Sequence, residues 1–155
     1  MLQVPIADEA CRHNPHSLTH PGIVPPTTAK VPWYDELDLP GASQCAIIQQ
    51  LVTSMPDFAA RVPDQSIVTS ETHEGKGDEL ICSLRSSKGL WALIYTPKGE
   101  AVTVDLDKAV GGKLHRAEWH NPRDGKRTPI EGAGPTFTPP SSGTLNDDWV
   151  LVLHA

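Results

Sequence analysis

The sequence lacks a basic surface signal. Its 155 residues carry 13 Lys and Arg against 19 Asp and Glu, a formal net charge of -6, and no run of basic residues interleaved with aromatics. Proteins that bind the phosphate backbone need clustered Lys and Arg, so no nucleic acid partner is expected. We interpret the mild acidity as a contribution to solubility.

Cysteine and long apolar segments are also scarce. Cys11, Cys45 and Cys82 form no CxxC pair, so neither a zinc site nor a redox pair is indicated, although a disulfide stays open. Cys45 and Cys82 occupy apolar-periodic positions, and we expect them to be small core residues. No apolar stretch has the length of a transmembrane helix or a signal peptide, which predicts no membrane attachment and leaves the compartment unknown.

Aromatic residues make up only 5% of the chain, but four of them are Trp. An exposed Trp can stack on a sugar ring or anchor a protein interface. Trp91, Trp119 and Trp149 each fall in an apolar strand pattern, so we prefer packing in the core for all three. Trp33, in a Pro-rich region, and Trp119 are kept as binding candidates.

Regular structure is predicted to begin near residue 33. Residues 1–32 form an irregular, Pro-rich arm without a period of 2 or 3.6, and we expect it to be poorly ordered. Residues 33–78 are predicted to hold one amphipathic helix, at 42–55, and a linker. Its apolar face is formed by Ala42, Cys45, Ile48, Leu51, Val52 and Met55. Pro56 ends this helix, and residues 61–66 are predicted to be a polar connector.

After a charged loop at 71–78, which we take as a domain boundary, the pattern changes to short strands. They are predicted at 79–84, 90–96, 101–106, 113–120, 126–130, 136–138 and 149–154, separated by turns that contain Gly, Pro or Asp. Gly89, Gly99 and Gly125 fall late in these turns, where a positive φ is needed. The predicted fold is mainly β: a small antiparallel β-sandwich at 79–155, preceded by the arm and the helix.

Several separated motifs resemble one family. The segments WALIYTPKGEAVTVDL, GGKLHRAEWHNPRDGKRTPI, TFTPP and DDWVLVLHA look like the small C-terminal β-domain named as a collagen-binding domain of collagenases. Upstream, VPWYDELDLPGASQ and RVPDQSIV are similar to the segment that joins this β-domain to the TIM-type barrel of apiosidase-like glycoside hydrolases. His13 and Asn14 match the text of the last barrel strand only in part, because Arg12 replaces a Gly.

This resemblance covers roughly residues 31–155 and has consequences for function. It implies that the helix region is the remnant of a barrel end and that the catalytic barrel, with its acid and nucleophile carboxylates, is not in this sequence. The chain is then expected to be a fragment or remnant. His13 and Asn14 become binding candidates through the resemblance, which also implies a family that is often secreted.

No catalytic or metal signature supports an independent enzyme. His13, His16 and His20 have ligand-like spacing, but Pro15 and Pro21 argue against a helix that would bring them together, so we predict no metal and no cofactor. The carboxylates of the second half fall at turns and strand ends. We therefore expect an accessory domain without catalytic residues of its own.

Three functions are compatible with this sequence. The first is a non-catalytic accessory β-domain that supports a glycosidase barrel. The second is a module that binds collagen, another extracellular matrix protein or a polysaccharide, which depends on the family's label alone. The third is part of a glycosidase whose barrel is supplied upstream.

Overall fold

The computed structural model describes residues 40–132, 134–144 and 147–155. Residues 44–155 form one compact unit, and residues 40–43 belong to a second unit, 1–43. The predicted arm at 1–32 lies outside the described residues. The charged loop at 71–78, which we took as a domain boundary, lies inside the unit 44–155.

Short strands dominate the described residues, as the turn spacing predicts. The helices are α1 (Pro40–Ser54) and α2 (Leu106–Val110). The strands are β1 (Arg61–Pro63), β2 (Cys82–Ser86), β3 (Trp91–Thr96), β4 (Val102–Thr103), β5 (Arg116–His120), β6 (Arg127–Pro129), β7 (Thr136–Phe137) and β8 (Trp149–His154).

Two antiparallel sheets organise these strands. Six strands form the main sheet in the order β1-β2-β3-β8-β5-β6, and β4 pairs with β7 in a small second sheet. Both edge strands, β1 and β6, are three residues long and contain a Pro. Short edges with Pro resist pairing with another chain. The predicted mainly β, antiparallel class is confirmed.

A first core fills the space between the main sheet and the small sheet. Alternate residues of the central strands, such as Ile94 and Leu151, meet Val102 of β4 and Phe137 of β7 in one buried cluster. Trp119 of β5 lies in the same cluster and is 2% exposed. A six-stranded sheet thus packs on a two-stranded one, and the buried side chains between them explain why the sequence has the short, turn-separated strands of a sandwich.

A second core lies on the opposite side of the main sheet, which we call the second face. There Leu51 of α1 and Met55, the residue after the helix, pack with Trp91, Leu93, Val150 and Val152. The indole N–H of Trp91 donates to the carbonyl oxygen of Pro56 at 2.8 Å, just beyond the end of the helix. Because both faces of β3 and β8 are covered, their sequences are nearly continuous apolar runs rather than alternating ones.

Helix α1 is only half covered by the sheet, and this corrects one expectation. Leu51 and Met55 are buried as predicted, but Cys45 is free and exposed and Ile48 is 36% exposed. Cys82 is also free and exposed, opposite the exposed Tyr95. The prediction that both Cys are core residues is therefore wrong. Apolar periodicity in a helix does not reveal how much of the apolar arc a partner covers, and the pattern of β2 does not reveal whether the side that carries Cys82 is covered.

Local signals explain the remaining differences. The predicted strand 101–106 stops early because the Asp105 carboxylate accepts from the Lys108 N–H at 3.1 Å and caps α2, which Gly111 closes at φ 63°. Strand β1 replaces part of the predicted connector. It pairs only with β2, at the sheet edge, so its sequence carries little alternation.

The docking of α1 predicts very different costs for two substitutions on that helix. Leu51→Ala should lower the free energy of unfolding by about 2–5 kcal/mol, because it opens a cavity in the second core. Ile48→Ala, the matched control one turn away, should cost less than about 1 kcal/mol since the side chain is already exposed. Urea unfolding of the two variants measures both; equal costs would contradict the docking.

The turn before β4 predicts a large cost for one glycine substitution, and the end of α2 provides a matched glycine with a small one. A Cβ at Gly99, which has φ 63°, would overlap the carbonyl oxygens of Ser141 and Asp147. Gly99→Ala should therefore cost at least about 3 kcal/mol. Gly111 has the same φ of 63° with nothing within 4 Å of such a Cβ, so Gly111→Ala should show only the conformational cost, about 1–2 kcal/mol. Thermal and urea unfolding separate the two.

Candidate functional site

The predicted binding residues fall in different parts of the chain. His13, Asn14 and Trp33 lie outside the described residues. Trp119 is 2% exposed in the first core, so the preferred interpretation, that it packs inward, is confirmed. A ring buried on this scale has no free face for a sugar, and stacking on Trp119 would require it to leave the core.

The other two described Trp residues are also structural. Trp91 is fully buried and Trp149 is 7% exposed. The indole N–H of Trp149 donates to the Ser141 hydroxyl at 3.1 Å, and that of Trp91 donates to a backbone carbonyl oxygen, as described above. Each polar N–H thus has a partner inside the fold, as expected for core Trp residues.

Several carboxylates serve turns and helix starts. Asp64 accepts from the Ser66 N–H at 3.1 Å and from Arg85 at 2.7 Å, and the hydrogen bonds from Ser66 and Arg85 lower its pKa. Asp147 accepts from the Thr144 N–H at 3.1 Å, and hydrogen bonds from Ser141 and Thr144 lower its pKa. These oxygens are engaged in local structure, which fits the expectation that they are not catalytic.

An open cleft of about 350 Å³ lies at the ends of β5 and β6. Its lining residues are Leu114, His115, Arg116, Ala117, Pro129, Ile130 and Gly132. This lining contains no carboxylate, whereas glycoside hydrolysis uses two across the scissile bond. The cleft is therefore not suited to that reaction.

The second face carries a charged cluster beside its apolar half. Arg116, Glu118 and His120 alternate along β5 and point to the same side as Val150 and Val152 of β8, their partners in the ladder. Arg127 of β6 is opposite His120. The sheet register thus brings together side chains that are widely separated in the sequence.

Glu118 is the centre of this cluster. It is 5% exposed, and its Oε1 accepts from Arg127 Nη1 at 3.1 Å, with Arg116 Nη2 at 3.7 Å. His154 Nε2 lies 3.1 Å from Arg116 Nη2. Because a guanidinium can only donate, this nitrogen accepts, so His154 is neutral in this arrangement.

The surroundings of both histidines of the second face favour the neutral form. Burial, followed by the charge of Arg116, lowers the pKa of His154. Burial, followed by the charge of Arg127, lowers the pKa of His120, against the opposing effect of Glu118. His120 is 3% exposed, and neither of its ring nitrogens has a hydrogen-bond partner within the described residues. A buried charge there would be costly.

The sequence did not reveal this cluster. The alternation of Arg116, Glu118 and His120 was visible, but their partners depend on β5 pairing with β8, and strand pairing of this range cannot be read from local pattern. In the ranges described, no group of three His, Cys, Asp or Glu side chains could hold a metal ion. The helices described there are too short or too polar to cross a membrane.

The family model described as "Putative collagen-binding domain of a collagenase" matches residues 62–154, more than half of the chain. The chain therefore belongs to this family. Among curated proteins, none matches it.

Solved structures place the same fold in larger chains. One, titled "Glycoside hydrolase", is 29% identical with a TM-score of 0.70, and the match covers 88% of this chain and 30% of that one. A glycoside hydrolase family 5 protein from Bacteroides vulgatus is 27% identical with a TM-score of 0.69, and the match covers 86% and 29%. The chain thus spans less than a third of either relative.

The neutral histidines predict how stability depends on pH. A group whose pKa is lowered by folding contributes stability above its unfolded pKa of about 6.5, and this contribution is lost as the pH falls through the folded value. The free energy of unfolding should therefore fall between pH 7 and pH 5, and His120→Gln should reduce that slope. Urea titrations at several pH values measure it.

Four carboxylates of the described residues also have a lowered pKa: Asp64, Glu79, Asp124 and Asp147. Their contributions are lost mainly below about pH 5, and they are the same in the His120→Gln variant, so the difference in slope between the two chains reports His120. A His120→Gln variant with the same slope as the original chain would show that His120 is not held neutral by burial.

Proposed function

We propose that this chain is a non-catalytic accessory β-domain of a glycoside-hydrolase-like protein, and that helix α1 packs against the catalytic domain of that protein. The observation that carries the proposal is the divided apolar arc of the helix. Leu51 and Met55 face the sheet, while Cys45 and Ile48 form an outer stripe that is exposed. Apolar side chains grouped on one exposed stripe are typical of a packing surface.

The choice of partner follows from the solved relatives. Both are described as glycoside hydrolases, and each is more than three times the length that the match covers. A domain of this fold therefore occurs there beside a much larger part of the same chain. The polar residues beside the outer stripe of α1 include Gln49 and Gln50 rather than Lys or Arg. Helices that lie on a lipid surface usually carry basic residues there, so a protein surface is the preferred partner.

The finer assignment to apiosidase-like glycoside hydrolases is part of the proposal and depends on the motifs of 31–68. A module that binds collagen or a polysaccharide is the second candidate, favoured by the family's description. The third candidate is a part of a glycosidase whose barrel lies upstream. It assigns the same packing role to α1 and differs only in where the barrel comes from.

The absence of catalysis is tested by assaying the purified chain on aryl-glycosides and plant-polysaccharide fragments. We expect no turnover above the buffer rate, because carboxylates such as Asp64, Asp105 and Glu118 are engaged in turns, a helix cap and ion pairs. Robust turnover that a single carboxylate substitution abolishes would overturn the accessory role.

The packing role is tested by a graft. The matched region of the Bacteroides vulgatus glycoside hydrolase is replaced by this full chain, and the melting temperature of the catalytic domain is measured with and without the graft. We expect the graft to raise it and Ile48→Asp to remove the gain, because a charge would be buried in the contact.

Gln50→Asp is the matched control, since it adds the same charge to an exposed position on the opposite face of the helix. It should retain the gain. Equal effects of the two substitutions, or no gain from the graft, would contradict packing through the outer stripe.

A further inference from the structure

Tyr95 is the exposed aromatic side chain of the second face. It lies on β3 between Cys82 of β2 and Val150 of β8 in the sheet register, and it is 37% exposed. The three described Trp rings are at most 7% exposed, so they cannot take this role. An aromatic ring with one free face can stack on the C–H face of a sugar.

Asp148 fixes polar groups beside this ring. The Tyr95 hydroxyl donates to Asp148 Oδ2 at 3.4 Å, and Arg123 Nη1 donates to Asp148 Oδ1 at 2.6 Å. Burial, followed by the negative charge of Asp148, raises the pKa of Tyr95 further above neutral pH, so the hydroxyl remains the donor in this pair. The ring, the carboxylate and the guanidinium come from three separate segments that the fold brings together.

Arg123 contacts the Trp149 ring as well as Asp148. Its guanidinium lies 5.3 Å from the centroid of the Trp149 ring, a cation–π distance. The side chains of Arg123 and Asp148 remain 28% and 18% exposed. Both groups are therefore preorganised by the core yet accessible to a ligand, which lowers the ordering cost of binding.

We propose that Tyr95, Asp148 and Arg123 form a subsite for a neutral oligosaccharide. Tyr95 stacks on a sugar ring, the Asp148 carboxylate accepts from one hydroxyl, and the Arg123 guanidinium donates to its neighbour. The site favours a neutral sugar over a uronic acid because the charges of Asp148 and Arg123 offset each other. This inference deepens the proposed function and rests on it for the choice of sugar polymers as ligands.

Collagen is the less suitable ligand for this surface. A proline-rich chain is recognised by grooves lined with several aromatic rings, whereas Tyr95 stands with an ion pair rather than with other aromatics. Adjacent donor and acceptor groups beside one ring match the hydroxyls and the apolar face of a single sugar unit. Collagen binding at Tyr95 is therefore an outcome that would count against the proposal.

The test is an NMR titration of the full chain, labelled with ¹⁵N, with xylohexaose and cellohexaose. We expect backbone amide shifts grouped around Tyr95, Arg123 and Asp148, with weak affinity as for a single stacking platform. Tyr95→Ala should weaken binding by at least about tenfold. Tyr95→Phe, which keeps the ring, should stay within about threefold of the original chain.

Phe58→Ala is the matched control. Phe58 is 39% exposed, similar to Tyr95, but its ring already carries the guanidinium of Arg61 at 5.6 Å. Binding should be unchanged in this variant. Tetragalacturonic acid, the charged comparison, should bind more weakly than the neutral hexaoses.

Three results would overturn the subsite: no shifts with either neutral hexaose up to about 10 mM, equal affinity in Tyr95→Ala, or a collagen model peptide that perturbs Tyr95 while the hexaoses do not. None of these results would change the turnover assay or the graft. Failure of the subsite is thus distinguishable from failure of the accessory role.

Discussion

The contact between helix α1 and the second face of the main sheet determines how the rest of this structure must be built. Leu51 and Met55 cover Trp91, Leu93, Val150 and Val152. Without that cover, the apolar side chains on one side of the two central strands would meet water, at a cost of roughly 1.5–3 kcal/mol for each large one. The helix therefore belongs with the sheet energetically.

The same contact divides the second face by chemistry. Over β3 and β8 the helix closes an apolar core, while over β5 and β6 the face holds Glu118 with Arg127 and the buried His120. A buried carboxylate is tolerated there because Arg127 donates a hydrogen bond to it and Arg116 forms a second ion pair with it. The polar side of the sheet thus depends on strand register, and the neutral form of its histidines is favoured by burial and by the charges of Arg116 and Arg127.

Local chemistry predicted the parts of the fold that depend on neighbouring residues. Strand β8 was placed at its observed bounds, and Pro56 ends α1 because it cannot continue a helix. What failed depends on distant partners: Cys45 is exposed because the sheet covers only part of the helix, and β1 is an edge strand with a single neighbour.

The candidate sites show the same division. The inward packing of Trp119 followed from its alternation with Arg116 and Glu118. By contrast, nothing in the sequence joins Tyr95 to Asp148 or Glu118 to His154, because these pairs arise from strands that meet only in the folded sheet.

Helix α1 folds as part of the β-domain rather than as a separate linker. Native-state hydrogen exchange on the full chain measures this most directly. We predict that the backbone amides of residues 51–54 exchange with the same free energy as those of Leu93 and Ile94 in β3, through one cooperative unfolding. Rapid exchange in 51–54 while β3 stays protected would show that the helix is an independent linker.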